Sequence, residues 1–227
     1  MSKQQFIPNQ VFIGCPWRTV RPKYEKVIDD LKKKFPLSFK IIGRGGDQDA
    51  KELLTVIKDS IISSSYAIFD ATAGNANVSL EYGFAEAKAI PMALYLGTHG
   101  ASKKIVQDAP IIQDLAGKVR NQYSQINGLK KLLSDFSAQH IYTKRFEQFL
   151  RDRRLSKGKK RRARTLALKV IHCLDGRKTT RRAQIAQDLQ VGIPRYKENE
   201  INNMITDLHK ADLVKSGKGP FANVLVT

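Results

Sequence analysis

Residues 10–138 alternate between short runs that are apolar on both faces and longer stretches whose apolar residues recur at helical spacing. Residues 10–15, 38–42, 66–70, 91–96 and 118–123 read as strands. Residues 21–35 carry Tyr24, Val27, Ile28, Leu31 and Phe35 at helical spacing, and residues 47–63 carry Leu53, Leu54, Ile57, Ile61 and Ile62 in the same way. Residues 77–89 and 124–138 read as two further helices. Strands apolar on both faces and joined by crossover helices imply a parallel sheet covered on both sides. The expected architecture is therefore α/β: a doubly wound parallel sheet of about five strands in flavodoxin-like order, with a smaller C-terminal module described below.

Sheets of this kind bind ligands beyond the carboxyl ends of their strands. Gly14, Gly43 and Asp70 fall there. Gly14 would let a ligand approach the backbone. Arg18 and Arg21 follow the first strand, and Arg44 follows the second within Gly43-Arg44-Gly45-Gly46, a possible anion nest. These arginines suit a phosphate or diphosphate. Trp17 either stacks on a base or plugs the rim of the core. Cys15 reads as a packed small side chain rather than a nucleophile.

The densest stretch is residues 66–88, YAIFDATAGNANVSLEYGFAEAK. An apolar run ends in Asp70, a small-residue loop follows, and Asn77 reads as the N-cap of a helix. Val78, Tyr82, Ala85 and Ala89 form one stripe, and Glu81 lies about 60° from its centre, on the rim between core and solvent. Unpaired backbone amides near the helix start favour its ionised form. Such a carboxylate could attack, or electrostatically stabilise, a sugar carbon losing its base. The plainer alternative is a glutamate that only answers the helix dipole. The opposite face, Leu80, Gly83, Phe84 and Ala87, is also apolar and suggests a homo-oligomer interface.

The pattern D-x(4)-N-x-N-V-x-x-E-x-G-x-A, formed by Asp70, Asn75, Asn77, Val78, Glu81, Gly83 and Ala85, resembles the nucleoside 2-deoxyribosyltransferase family. It also resembles bacterial TIR-like proteins of the same topology. The likeness extends loosely over residues 8–138. It implies that Glu81 acts at the anomeric carbon of an N-glycosidic bond. It implies a polar role for Asp70 near sugar or base, and sugar or base positioning by Asn75 and Asn77. Asn75 stands where some transferases carry an aspartate. Related domains exist that only bind nucleotides.

Charge bears on the partner. Lysine and arginine number 40 against 21 acids, a net charge of +19. A balance this positive points to a polyanion, most simply nucleic acid. Nine of the fourteen residues 151–164 are basic. Like-charge repulsion and a helix-interrupting Gly158 suggest a segment that orders on a counter-ion. It divides the chain into an α/β domain (1–145), a basic helical linker (146–164) and a C-terminal domain (165–227). The four histidines show no metal-ligand spacing, and no metal or cofactor is expected beyond a nucleotide or NAD as ligand or substrate. Two distant cysteines, an N-terminus without an apolar leader core and the lack of a long apolar run predict a cytoplasmic protein off the membrane.

The C-terminal residues read as a winged helix-turn-helix: helices over 165–174, 181–189 and 196–210, then a hairpin over 213–227. Asn199, Asn202 and Asn203 on the third helix suit adenine edges. The cations lie elsewhere, on Arg151, Arg153, Arg154, Lys159, Lys160, Arg161, Arg162, Arg181, Arg182 and Lys218, a layout suited to phosphates. Two functions follow. One is an enzyme that cleaves or transfers an N-glycosidic bond, with Glu81 and Asp70 as its acids and nucleic acid as a possible gate, as in bacterial defence proteins. The other is a non-catalytic, nucleotide-sensing DNA-binding regulator.

Overall fold

The computed structural model describes residues 6–43, 50–98, 120–175, 180–191, 196–216 and 223–226. The chain forms two compact units, Met1–Asp30 with Phe39–Phe136, and Leu31–Ser38 with Ser137–Thr227.

The first unit is the doubly wound sheet. Its elements run β1 (Ile7–Gly14), α1 (Arg21–Leu31), β2 (Ser38–Lys40), α2 (Ala50–Ser63), β3 (Ser64–Asp70), a 3-10 turn (Thr72–Gly74), α3 (Ala76–Ala87), β4 (Met92–Gly97), β5 (Arg120–Tyr123) and α4 (Ile126–Gln139). The strand order is β2-β1-β3-β4-β5. Parallel register sets Gly14 beside Phe69, Asp70 beside Tyr95 and Gly97 beside Tyr123, so these strand ends share one edge. Phe12 and Phe69 from the sheet and Val78, Tyr82 and Ala85 from α3 pack into one apolar cluster. Phe69 lies 5.9 Å from the Phe12 ring and 5.6 Å from Tyr82, edge-on to the latter. This packing fixes the rotation of α3 about its axis and with it the direction in which Glu81 leaves the helix.

One detail of α3 differs from the sequence expectation. Its N-cap is Asn75, not Asn77: the Asn75 Oδ1 accepts from the backbone N–H of Asn77 at 3.0 Å and of Val78 at 3.3 Å. Asparagine at either position can cap, and the 3-10 turn ending at Gly74 brings the earlier one into place. Leu80 on the outer face stays exposed at 62%.

The second unit contains α5 (Ile141–Asp152), α6 (Lys157–His172), β6 (Thr180–Arg181), α7 (Arg182–Gln190), α8 (Glu198–Lys210), β7 (Val214–Ser216) and β8 (Asn223–Val226). Its antiparallel sheet runs β6-β8-β7. Phe146, Phe149, Leu166, Val170, Ile185, Ile201, Ile205 and Leu208 are buried. Tyr142 donates to the Leu213 carbonyl at 2.7 Å, and Arg164 donates to the Lys34 carbonyl at 2.6 Å. Residues 146–164, expected as a basic helical linker, lie in α5, α6 and the turn between them. Gly158 does not interrupt the helix. It is the second residue of α6, where its amide needs no intrahelical acceptor. Strand β6 leads directly into α7, whose N-cap is Arg181 with no side-chain cap hydrogen bond. Among the described residues no helix is long and apolar enough to cross a membrane.

Candidate active site

A hollow of about 550 Å³ opens at the carboxyl edge of the sheet. It lies at the β1/β3 switch point of the strand order, where connections leave to opposite faces. Cys15, Trp17, Arg18 and Thr19 line it from the segment after β1, and Ile42 and Gly43 from the segment after β2. Leu53 and Ile57 come from α2, Thr72 from the 3-10 turn, and Asn75, Asn77, Val78 and Glu81 from the cap and first turns of α3.

Glu81 is half-buried in this wall, and among the described residues no cation pairs with it. Burial pushes its carboxyl up to about 7. The sequence had suggested an ionised group held by the helix dipole. Desolvation outweighs that influence, because water is removed from the carboxylate and no cation replaces it. A carboxyl that titrates near neutrality can serve as an anion or as a proton donor.

Gly14 makes room for Glu81. A Cβ at this position would lie 2.5 Å from Glu81 Oε2 and 2.7 Å from Phe69 Cδ1. The space where a side chain would begin is already taken by the carboxyl group.

Asp70 stands one layer behind the cavity. It is fully buried and does not line the hollow. Its Oδ2 accepts from Tyr24 at 2.9 Å and from Tyr123 at 2.6 Å. Its Oδ1 accepts from the Thr72 backbone N–H at 3.0 Å and from the Thr72 hydroxyl. Four donors saturate the carboxylate. The carboxylate expected at the sugar or base thus has its oxygens occupied by protein donors. Thr72 and the two tyrosines were missed in the sequence, since nothing local ties Tyr24 or Tyr123 to a carboxylate some fifty positions away.

The rim is divided between engaged and free cations. Arg21 is committed: its Nε donates to Glu25 at 2.6 Å and its guanidinium stacks 3.5 Å over the Trp17 ring. Trp17 is 42% exposed, and its six-membered ring fills the place a Cβ on Gly43 would occupy, 1.1 Å from Cζ3. Arg18 is exposed on the cavity wall with no ion pair among the described residues. Arg44 and the rest of the possible anion nest after Gly43 lie outside the described residues. Burial, followed by the charges of Asp70 and Glu81, pushes the Cys15 thiol up to about 12, so it stays protonated and a poor nucleophile. Among the described residues no group of three histidine, cysteine or acidic side chains could hold a metal ion.

In the second unit the cations differ in how far they are engaged. Arg153 pairs with Asp207, Arg162 reaches both Glu200 oxygens at 3.1 Å, and Arg182 donates to Ser216 at 2.7 Å. Arg151 donates to Gln148 at 2.7 Å, and Arg154 is exposed with a positive φ of 45°. Lys159, Lys160 and Arg161 are exposed on the first turns of α6, and Arg181 is exposed on β6. Asn199 is exposed and Asn202 half-buried on α8. Lys218 lies outside the described residues.

Sheet order and cavity together define a doubly wound α/β protein with a ligand-sized hollow at its switch point. No protein-family model and no curated protein matches the chain. Two solved structures match it. One is a 2-desoxiribosyltransferase from Leishmania mexicana, 16% identical with a TM-score of 0.36, the match covering 39% of this chain and 65% of that one. The other is a CMP N-glycosidase from Clostridium botulinum, 17% identical with a TM-score of 0.38, covering 56% and 98%. At scores this low neither match says anything about what this cavity takes.

Proposed function

We propose that the first unit cleaves or transfers the N-glycosidic bond of a nucleoside or nucleotide, with Glu81 at the anomeric carbon. The observation that carries this is the Glu81 carboxyl on the wall of a hollow of about 550 Å³, with no cation opposing it among the described residues. Its anionic form attacks C1′, or stabilises the cation that forms there, as the bond to the base breaks and the base takes the bonding electrons. Water or an acceptor base then takes the sugar. Arg18 at the rim suits a phosphate or diphosphate, and Asn75 and Asn77 flank the base.

The second unit, on this reading, is a winged helix-turn-helix that binds nucleic acid. Supporting it are a helix pair, α7 and α8, followed by a β7–β8 hairpin, with β6 completing the small sheet. Lys157, Lys159 and Lys160 crowd the first turn of α6, where the helix dipole disfavours cations and favours phosphates.

The test is incubation of the protein with deoxynucleosides, nucleoside monophosphates and NAD, with and without DNA, against Glu81→Gln. Free base released by the native chain and not by Glu81→Gln is the expected result. Release that survives the substitution removes Glu81 from the chemistry. Nucleotide binding without release in every condition favours the regulator. A mobility-shift series in salt tests the second unit, and binding insensitive to salt excludes a phosphate-driven mode.

A further inference from the structure

Thr72 is the polar group that the strand-β3 edge actually presents to the cavity, and its hydrogen bonds dictate what it can recognise. The hydroxyl's only proton is held between Asp70 Oδ1 and the neighbouring Tyr123 oxygen. The threonine oxygen accepts from the Gly97 backbone N–H at 2.7 Å. A hydroxyl has one donor and two lone pairs. With the donor and one lone pair committed, a single lone pair is left for the cavity that Thr72 lines. The commitment is rigid. Asp70 is itself pinned by Tyr24 and Tyr123, and the Tyr123 ring lies 3.2 Å from where a Gly97 side chain would begin. Rotating the threonine proton toward a ligand would leave a fully buried carboxylate short of a donor, at the cost of its desolvation.

We propose that Thr72 is a specificity-determining acceptor that takes a hydrogen bond from a hydroxyl or amine hydrogen of the substrate, with Asp70, Tyr24 and Tyr123 as positioning residues that hold it in the acceptor orientation. The proposal rests on the glycosidic reading of the cavity. It changes the part played by Asp70: the buried carboxylate acts through the threonine and not on the ligand. It also sets a polarity rule. A substrate group that can only accept, such as an ether oxygen or a ring nitrogen without hydrogen, finds no partner at Thr72.

The experiment compares the native chain with Thr72→Val, which keeps the shape and loses the acceptor, and Thr72→Ser, which keeps the hydroxyl. kcat/KM for base release is measured on ribo-, 2′-deoxyribo- and 2′,3′-dideoxyribonucleoside monophosphates, each with cytosine and with uracil. The expected result is a loss of about tenfold in Thr72→Val for every substrate bearing the recognised hydrogen. Analogues lacking it are unchanged, and Thr72→Ser restores the difference. The sugar series and the base pair tell a hydroxyl from an amine. Equal losses across all substrates, or no loss on any, overturn the proposal. If the native chain releases no base, it is the glycosidic reading that fails. In that case calorimetric binding of the same monophosphates still tests Thr72, with the same selective loss expected and a uniform or absent effect overturning it.

Discussion

The Glu81 carboxyl occupies the space above the Gly14 Cα, so that a Cβ there would stand 2.5 Å from Oε2. Strand β1 and helix α3 are thereby matched to each other by the absence of one side chain. Gly14→Ala must displace either Glu81 or Phe69. Phe69 is wholly buried between Phe12 and Tyr82, whereas the glutamate is the free end of a long side chain. Glu81 therefore yields first. The expected outcome is a stability loss of about 1–3 kcal/mol in thermal unfolding and a fall of about 100-fold or more in base release. Unchanged turnover in a folded Gly14→Ala chain would show that the position of Glu81 does not matter.

Burial lifts the Glu81 carboxyl from its ordinary 4.5 to about 7. If the anion is the working form, base release rises between pH 6 and 8 with its midpoint near 7, and Glu81→Gln removes both the activity and the rise. The stability consequence has the opposite sense to that of a paired carboxylate. The folded state holds this proton more tightly than the unfolded chain, so stability falls as pH rises from about 4.5 through 7. Glu81→Gln should therefore be the more stable protein at pH 8, by about 3 kcal/mol, and the gain should vanish near pH 4. Thermal unfolding of both chains across that range measures it.

The alternation of apolar runs and helical spacing was sufficient for the sheet, its strand order and the place of Glu81 on the rim of α3. Both the stripe Val78, Tyr82, Ala85 and the strand ends depend on local periodicity, which a sequence displays. The helix α5 carries an equally readable stripe in Tyr142, Phe146, Phe149 and Leu150, but it runs into the basic segment, whose charge suggested a linker. Strand β6 is two residues long and exists only because β8 pairs with it. The saturation of Asp70 depends on Tyr24 and Tyr123, which only the tertiary fold brings together. The balance between dipole and desolvation at Glu81 likewise depends on what covers it.

His140 caps α5 through its ring. Its Nδ1 accepts from the Tyr142 backbone N–H at 3.2 Å, and the residue is 8% exposed. Burial drives its pKa from 6.5 down to about 4. A histidine held neutral in the folded state contributes stability that is complete above about 6.5 and is lost as pH falls toward 4. Protonating Nδ1 also removes the cap. The melting temperature should fall over that window, by the equivalent of about 3 kcal/mol. His140→Asn, which keeps a capping acceptor that does not titrate, should flatten the fall. An identical acid profile in the two proteins would assign the loss to other groups.

Arg161 and Arg162 are neighbours on α6 with different engagements. Arg162 is held by both Glu200 oxygens and lies 4.8 Å over the Tyr196 ring, whereas Arg161 is exposed with no ion pair among the described residues. A phosphate contact requires a cation that can leave its present partner at little cost. If the second unit binds duplex DNA, Arg161→Ala and Lys160→Ala should each reduce the slope of log K against log salt by about 0.9, with little change in melting temperature. Arg162→Ala should leave the slope nearly unchanged. It should cost no more than about 1 kcal/mol of stability, since both members of the pair are substantially exposed. The comparison discriminates because the two arginines share a helix turn and a charge and differ in what holds them. A slope change at Arg162 equal to that at Arg161 would mean that the glutamate does not withhold it from the nucleic acid.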